Sequence, residues 1–182
     1  MTHAQEHLLQ TFDFNGAEVA LVAWTASLWC GKIAYATGNT GEPDVEALAQ
    51  AASELFSRTP PIHREAHWEA CLSLNYLSEE RPCGVMFGFL TDSPGQPEGY
   101  DLLEIPAGTY MKLAICDATA SALGVQPWTG GIPPYEWIHE IIAPRLGYRS
   151  GSCALPIIEY YRHNPVNGQV EACDLYVPVQ RA

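Results

Sequence analysis

Apolar and polar positions along the chain fall into runs of two kinds. Ala17–Ala36 is rich in Val, Ile, Leu, Trp and Tyr and is interrupted by Gly31, which predicts one long or bulged strand or a pair. Trp24 and Trp29, five apart, would face opposite sides of a regular strand, one of them toward any pocket on the sheet's open face. From Val45 the period changes. Val45, Leu48, Ala49, Ala52, Leu55 and Phe56 make the stripe of an amphipathic helix that begins after Pro43 and stops at Thr59-Pro60-Pro61. Trp68–Leu77 and Val85–Thr91 read as strands joined by a polar turn, Ser78–Gly84.

Asp92–Gly99, D-S-P-G-Q-P-E-G, is a Pro/Gly-rich connection, and after it the pattern recurs. Tyr100–Ile115 is strand-like and Cys116–Pro134 is a long turn-rich segment. Tyr135–Leu146 reads as a helix with Trp137, Ile138, Ile141 and Ile142 on one stripe, ended by Pro144 and Gly147. Residues 1–16 read as a short helix or loose arm ending at Asn15-Gly16. The remaining 17–182 form a single domain of two strand-helix-strand-strand repeats, about 17–92 and 100–179. The fold class expected is α+β: an antiparallel sheet with both helices on one face and a concave ligand cleft on the other.

The second repeat closes on Pro156–Tyr161 (P-I-I-E-Y-Y) and Glu171–Val179 (E-A-C-D-L-Y-V-P-V), which flank Asn164-Pro165-Val166-Asn167-Gly168. Asn-Gly is a strong signal for a tight hairpin, because both residues accept the positive φ of a primed turn. With Asn167-Gly168 at the turn's centre, Glu159 would lie across from Tyr176 and Tyr161 across from Asp174. One face would then carry Glu159, Tyr161, Asp174 and Tyr176. The other, with Ile158, Tyr160, Leu175 and Val177, would pack beneath Leu48, Leu55, Trp137 and Ile141. A strand carboxylate is ordinarily solvated, and a one-residue slip would exchange the two faces. A carboxylate ringed by phenols nevertheless marks Glu159, Tyr161 and Tyr176 as candidates for ligand contact.

Composition narrows the function classes. Nearly half of the 182 residues are apolar and only 16% are charged, as in a globular chain. The 21 acids against 9 bases give a net charge of −12, which disfavours direct nucleic-acid binding and suits a protein that attracts cations, or one kept soluble by its charge. The six cysteines form no Cys-x-x-Cys pair and read as small buried hydrophobes of a reducing cytoplasm. The N-terminus has no leader pattern and no apolar run is long enough to span a bilayer, so a soluble cytoplasmic protein without membrane contact is expected. His63-Arg64-Glu65-Ala66-His67 is not the zinc motif His-Glu-x-x-His, and neither a metal nor a cofactor is expected. Trp128-Thr129-Gly130-Gly131 is a surface turn with one packed Trp, or a lid over a pocket.

Three segments taken together resemble a known family. V-M-F-G-F-L-T-D (Val85–Asp92) into Pro97-Glu98-Gly99, E-I-P-A-G-T-Y (Glu104–Tyr110), and P-I-I-E-Y-Y with L-Y-V-P-V (Leu175–Val179) follow one another as in the GyrI-like small-molecule-binding domain. This is the effector-binding domain of AraC- and MerR-type multidrug regulators, and the resemblance covers about residues 17–179. It implies two strand-helix-strand-strand modules around a pseudo-twofold cleft. It also implies that Glu159 lies at the pocket floor and meets the charge of lipophilic cations, with Tyr161, Tyr135 and Tyr176 around it. Trp24, Trp29 and Phe87 complete the expected lining. The chain shows no DNA-binding domain, so any such function would come from a separate partner.

Three functions are compatible with these expectations. The first is binding of hydrophobic, often cationic small molecules, as a sensor or a sequestering protein. The second is hydrolysis of cyclopropane-bearing DNA-alkylating compounds, as some stand-alone relatives perform. Glu159 would then be the general base, assisted by Asp174 or by a carboxylate of the first half. The third is a protein-binding inhibitor of the gyrase-inhibitor type.

Overall fold

The computed structural model describes residues 5–37, 43–65, 68–76, 78–127, 135–152, 154–164 and 166–182. His67 and Trp128–Gly131, singled out above, and one of the six cysteines, Cys153, lie outside the described residues. The chain is α+β, with a ten-stranded antiparallel sheet and its helices packed against one face.

Strands β1 (Glu6–Phe14) and β2 (Ala17–Trp24) form a hairpin on Asn15-Gly16, whose φ angles of 54° and 91° are those of a primed turn. The expected N-terminal arm or helix is thus an edge strand. Its alternation was illegible because most of β1 stays exposed. After Thr25-Ala26 the chain continues as β3 (Ser27–Tyr35), so Ala17–Ala36 is a pair of strands rather than one. Helix α1 (Val45–Arg58) starts where the Asp44 carboxylate accepts from the Ala47 N–H at 3.0 Å, and it buries Leu48, Ala52 and Leu55. Strands β4 (Trp68–Leu74) and β5 (Gly84–Thr91) complete the first repeat.

The second repeat opens with β6 (Asp101–Ile105) and β7 (Gly108–Ala114), two strands where one was expected, parted at Pro106-Ala107. The turn-rich segment contains the short helix α2 (Asp117–Leu123), closed by Gly124 at φ 70°. The expected helix over 135–146 is a π-helical segment, Trp137–Ile142, running into α3 (Ala143–Arg145). Pro144 has no N–H to donate there, a local reason for departure from regular α geometry. Strands β8 (Tyr148–Ser150), β9 (Ile157–His163) and β10 (Val170–Arg181) finish the chain.

The strand order is β1-β2-β7-β10-β9-β4-β5-β3-β6, with β8 paired to β10 off this path. The pairing of β4 with β9 is the seam between the repeats. The first strand of each repeat crosses over, β2 pairing with β7 and β6 with β3. Although β2 and β3 lie far apart in this order, Trp24 stacks on Trp29 at 5.9 Å. The sheet is therefore curled, with its helix-free face turned inward.

Register across β9 and β10 differs from the expectation. Asn164 and Gln169 close a loop wider than a two-residue turn, and Val170 pairs with His163. That widening alone would leave the expected faces intact. A bulge at Glu171 then moves the pairing by one residue, so Leu175 faces Glu159 and Tyr176 faces Ile158. Leu175 and Val177 pack under Trp137, Ile138 and Ile142 as expected. Ile158 and Tyr160 instead join Tyr176 on the curled inner face.

Candidate ligand-binding site

Paired residues on antiparallel strands share a face. Phe87, Cys71, Glu159 and Leu175 thus form a lateral row from β5 through β4 and β9 to β10. This row lies on the helix-bearing face, and Glu159 stands at the seam. The flanking helical elements supply the rest. Tyr135, at the entrance to the π-helical segment, donates its phenol proton to Glu159 Oε1, and its hydroxyl is also 3.1 Å from Ser73 Oγ. Tyr161, two residues along β9, donates to Glu159 Oε2 at 2.6 Å.

Glu159 is 5% exposed, and burial raises its proton affinity above the usual carboxylate value. The two phenol bonds act the other way, since both stabilise the charged form. In return, burial first and the neighbouring carboxylate second push both phenol pKa values well up. Burial also raises the Cys173 thiol to about 12, with the charge of Glu159 adding to it. The result is an acid held by two neutral donors.

On the same face, at the Phe87 end of this row, lies a cleft of about 550 Å³ under α1. Phe87 lines it, whereas Glu159, Tyr135 and Tyr161 do not. Phe56, Phe87 and Phe89 give it aromatic walls, and Arg64, Glu69 and His163 give it charge. Phe56 and Phe89 meet edge to face at 4.7 Å. Glu69 is the cross-strand partner of Tyr161 and lies 3.5 Å from His163 Nε2. Burial raises its pKa, while His163 and Arg64 pull it back. Tyr161, like Phe87, packs against the cluster of Leu48, Cys71 and Val85, and its cross-strand partner Glu69 lines the cleft.

Four of the expected site residues, Glu159, Tyr161, Tyr135 and Phe87, therefore share the helix-bearing face. Trp24, Trp29 and Tyr176 are on the other one. There Trp24 stacks on Trp29 and meets Tyr176 edge to face at 5.3 Å. Their common face follows from the break at Thr25-Ala26, since the two Trp belong to different strands. The concave surface expected opposite the helices is present but filled by these rings, while the open cleft lies on the helix side. The Tyr176 hydroxyl reaches Glu6 at 2.7 Å instead of Glu159.

Asp174 also projects away from Glu159, 3.3 Å from Lys112, which removes it as an assistant in hydrolytic chemistry. Glu69, a first-half carboxylate, shares the sheet face of Glu159. Of the cysteines expected in the core, Cys30, Cys71 and Cys173 are buried, whereas Cys83 is half-buried and Cys116 is exposed. Among the described residues no group of three or more His, Cys, Asp or Glu could hold a metal, and no helix is long and apolar enough to cross a membrane.

Sequence reasoning missed Arg64, Glu69, His163, Phe56, Phe89 and Ser73. The spacing of Phe87 and Phe89 signals a shared face. Placing Glu69 and His163 beside them required the β4–β9 pairing, a long-range contact without a local signature.

No family model matches the sequence, and no curated protein does. Solved structures do. SAV2435 bound to tetraphenylphosphonium aligns over 98% of this chain and 94% of its own, with a TM-score of 0.55 and 13% identity. A putative transcription regulation protein from Staphylococcus aureus MU50 aligns over 91% and 99%, with a TM-score of 0.55 and 13% identity. The EcmrR C-terminal domain covers 91% and 99%, with a TM-score of 0.56 and 14% identity. At these identities the likeness establishes a shared fold, and it agrees with the fold that the GyrI-like motifs imply.

Proposed function

We propose that this protein binds hydrophobic, cationic small molecules in the cleft between α1 and the β4–β9 seam. Glu159 would be the charge that favours cations. The observation that carries this reading is a nearly buried carboxylate, held by two phenols, on the same sheet face as a phenylalanine-walled cleft and in one row with its Phe87. In a low-dielectric setting a delocalised cation gains from the carboxylate's charge and from ring faces without exact hydrogen-bond geometry. That permits breadth of ligand shape. The shared fold of a protein solved with tetraphenylphosphonium supports the ligand class. Because Tyr161 donates to Glu159 and pairs with Glu69 of the cleft lining, binding is expected to swing its phenol aside and open the cleft to the acid.

The test is calorimetric titration of tetraphenylphosphonium and of neutral triphenylphosphine oxide into the wild-type and Glu159→Gln proteins. Glu159→Gln should weaken the cation by about 1–3 kcal/mol, the range for a charged group losing its partner. The neutral compound should be nearly unaffected. Equal losses for both compounds, or none for either, would remove Glu159 from the site.

A further inference from the structure

Arg64 already places a cation on the cleft's aromatic wall. Its guanidinium carbon lies 4.6 Å from the Phe89 ring centroid, within cation–π range. Phe89 is braced by Phe56, which stacks in turn on Tyr100 at 5.8 Å. The backbone at Arg64 is fixed by an isolated bridge to Thr91, and the preceding His63 is 3.3 Å from Asp92. The Arg64 side chain is nevertheless exposed, so it can change rotamer without disturbing its backbone. Its charge also acts on Glu69 across the same cleft.

We propose that Arg64 is a resident cation, occupying the cation position at the Phe89 end of the cleft until a ligand displaces it. This rests on the cleft being the ligand site and adds what sets its selectivity. Small hydrated cations gain too little from the rings to displace a tethered guanidinium. Large delocalised ones gain aromatic area as well as charge, and so they succeed. Arg64 is then a lining residue whose loss tightens binding, the reverse of the usual result of trimming a pocket.

The experiment compares tetraphenylphosphonium binding to the wild type, Arg64→Gln and Arg64→Lys, with triphenylphosphine oxide as the uncharged control. Arg64→Gln removes the charge and should tighten the cation about two- to fivefold, the scale of one exposed cation–π contact. Arg64→Lys should stay near wild type, and the neutral control should change less than about twofold, as expected where no charge is matched. Raising the salt concentration should narrow the gap between wild type and Arg64→Gln. Arg64→Met, which keeps an apolar stem over Phe89, replaces Arg64→Gln if that variant fails to fold. A wild type that binds the cation alongside an unchanged or weakened Arg64→Gln overturns the resident-cation proposal alone. Absence of cation binding by every variant overturns both this proposal and the cleft reading.

Discussion

Glu159 and Tyr176 stand on adjacent paired strands, yet their side chains leave opposite faces of the sheet, because Glu159 pairs with Leu175 and Tyr176 with Ile158. Tyr176 is 2% exposed among Trp24, Tyr110 and Tyr160, and so it serves the inner core. Tyr176→Ala should cost about 3–5 kcal/mol of unfolding free energy, as for other buried aromatic truncations. Tyr176→Phe should cost only about 1 kcal/mol, for the hydroxyl bond to Glu6. Urea denaturation measures both. If Tyr176→Phe instead altered the preference for cations as much as Glu159→Gln, the ligand would sit inside the curled sheet.

Glu159 also sets a pH dependence with a definite sign. Its folded-state pKa is raised above 4.5 by burial, so the folded protein holds this proton more tightly than the unfolded chain does. Stability from this group is therefore full at low pH and falls as pH climbs from the ordinary carboxylate value through the raised one. Thermal melts across that range should show the melting temperature of Glu159→Gln gaining on wild type as pH rises. Cation affinity should run the other way, increasing over the same window as the carboxylate ionises. A melting-temperature difference that stays flat with pH would show that Glu159 titrates normally.

Much of the architecture was legible. The repeat, helix α1 and its stripe, and the closing hairpin follow from period and turn chemistry, because each is decided within a few neighbouring residues. The faces of the hairpin were not. Asn167-Gly168 carries a tight-turn signal, but Asn164 and Gln169 close the loop, and the bulge at Glu171 exchanges the faces beyond it. Bulges answer to the packing of the whole strand, which here sets Leu175 and Val177 under Trp137. Of the candidate site, the Glu159–Tyr161 pair could be proposed from spacing alone, and Tyr135 came from the family resemblance. Arg64 and Glu69 could not be read, since the seam and an isolated bridge bring them to the cleft.

The Gly31–Gly88 pair across β3 and β5 offers a test of the sheet beside the cleft. A Cβ at Gly88 would stand 2.4 Å from the Cys30 carbonyl oxygen, and one at Gly31 would stand 2.0 Å from that of Phe87. Both obstacles are backbone atoms and cannot rotate away. Gly88→Ala should lose at least about 2–3 kcal/mol, the scale of overpacking a tight core. It should also disturb Phe87 and Phe89 on either side, so cationic and neutral ligands should weaken together. A Gly88→Ala protein with wild-type stability would mean the two strands are farther apart than they stand here.

The two phenols on Glu159 separate the role of charge from that of shape. Tyr135 and Tyr161 each donate to one oxygen of the carboxylate, and each bond favours the ionised form. Replacing either with Phe keeps the ring and removes the donor. Glu159 should then bind its proton more tightly, moving the onset of cation binding to higher pH while the neutral ligand is unaffected. The variants should differ in one respect. Tyr135 also meets Ser73 and stacks edge to face with Tyr76 at 5.3 Å, so its hydroxyl is part of the buried frame. Tyr135→Phe should lose about 1–3 kcal/mol of stability, as expected for leaving buried partners unsatisfied. Tyr161 is partly exposed and is the cross-strand partner of Glu69, which lines the cleft. Tyr161→Phe should lose less stability and admit the cation faster, because no hydrogen bond must break before the ring swings aside. Stopped-flow quenching of tryptophan fluorescence would give that association rate. If Tyr161→Phe bound at the wild-type rate while Tyr135→Phe bound faster, the entry path would run past the π-helical segment instead.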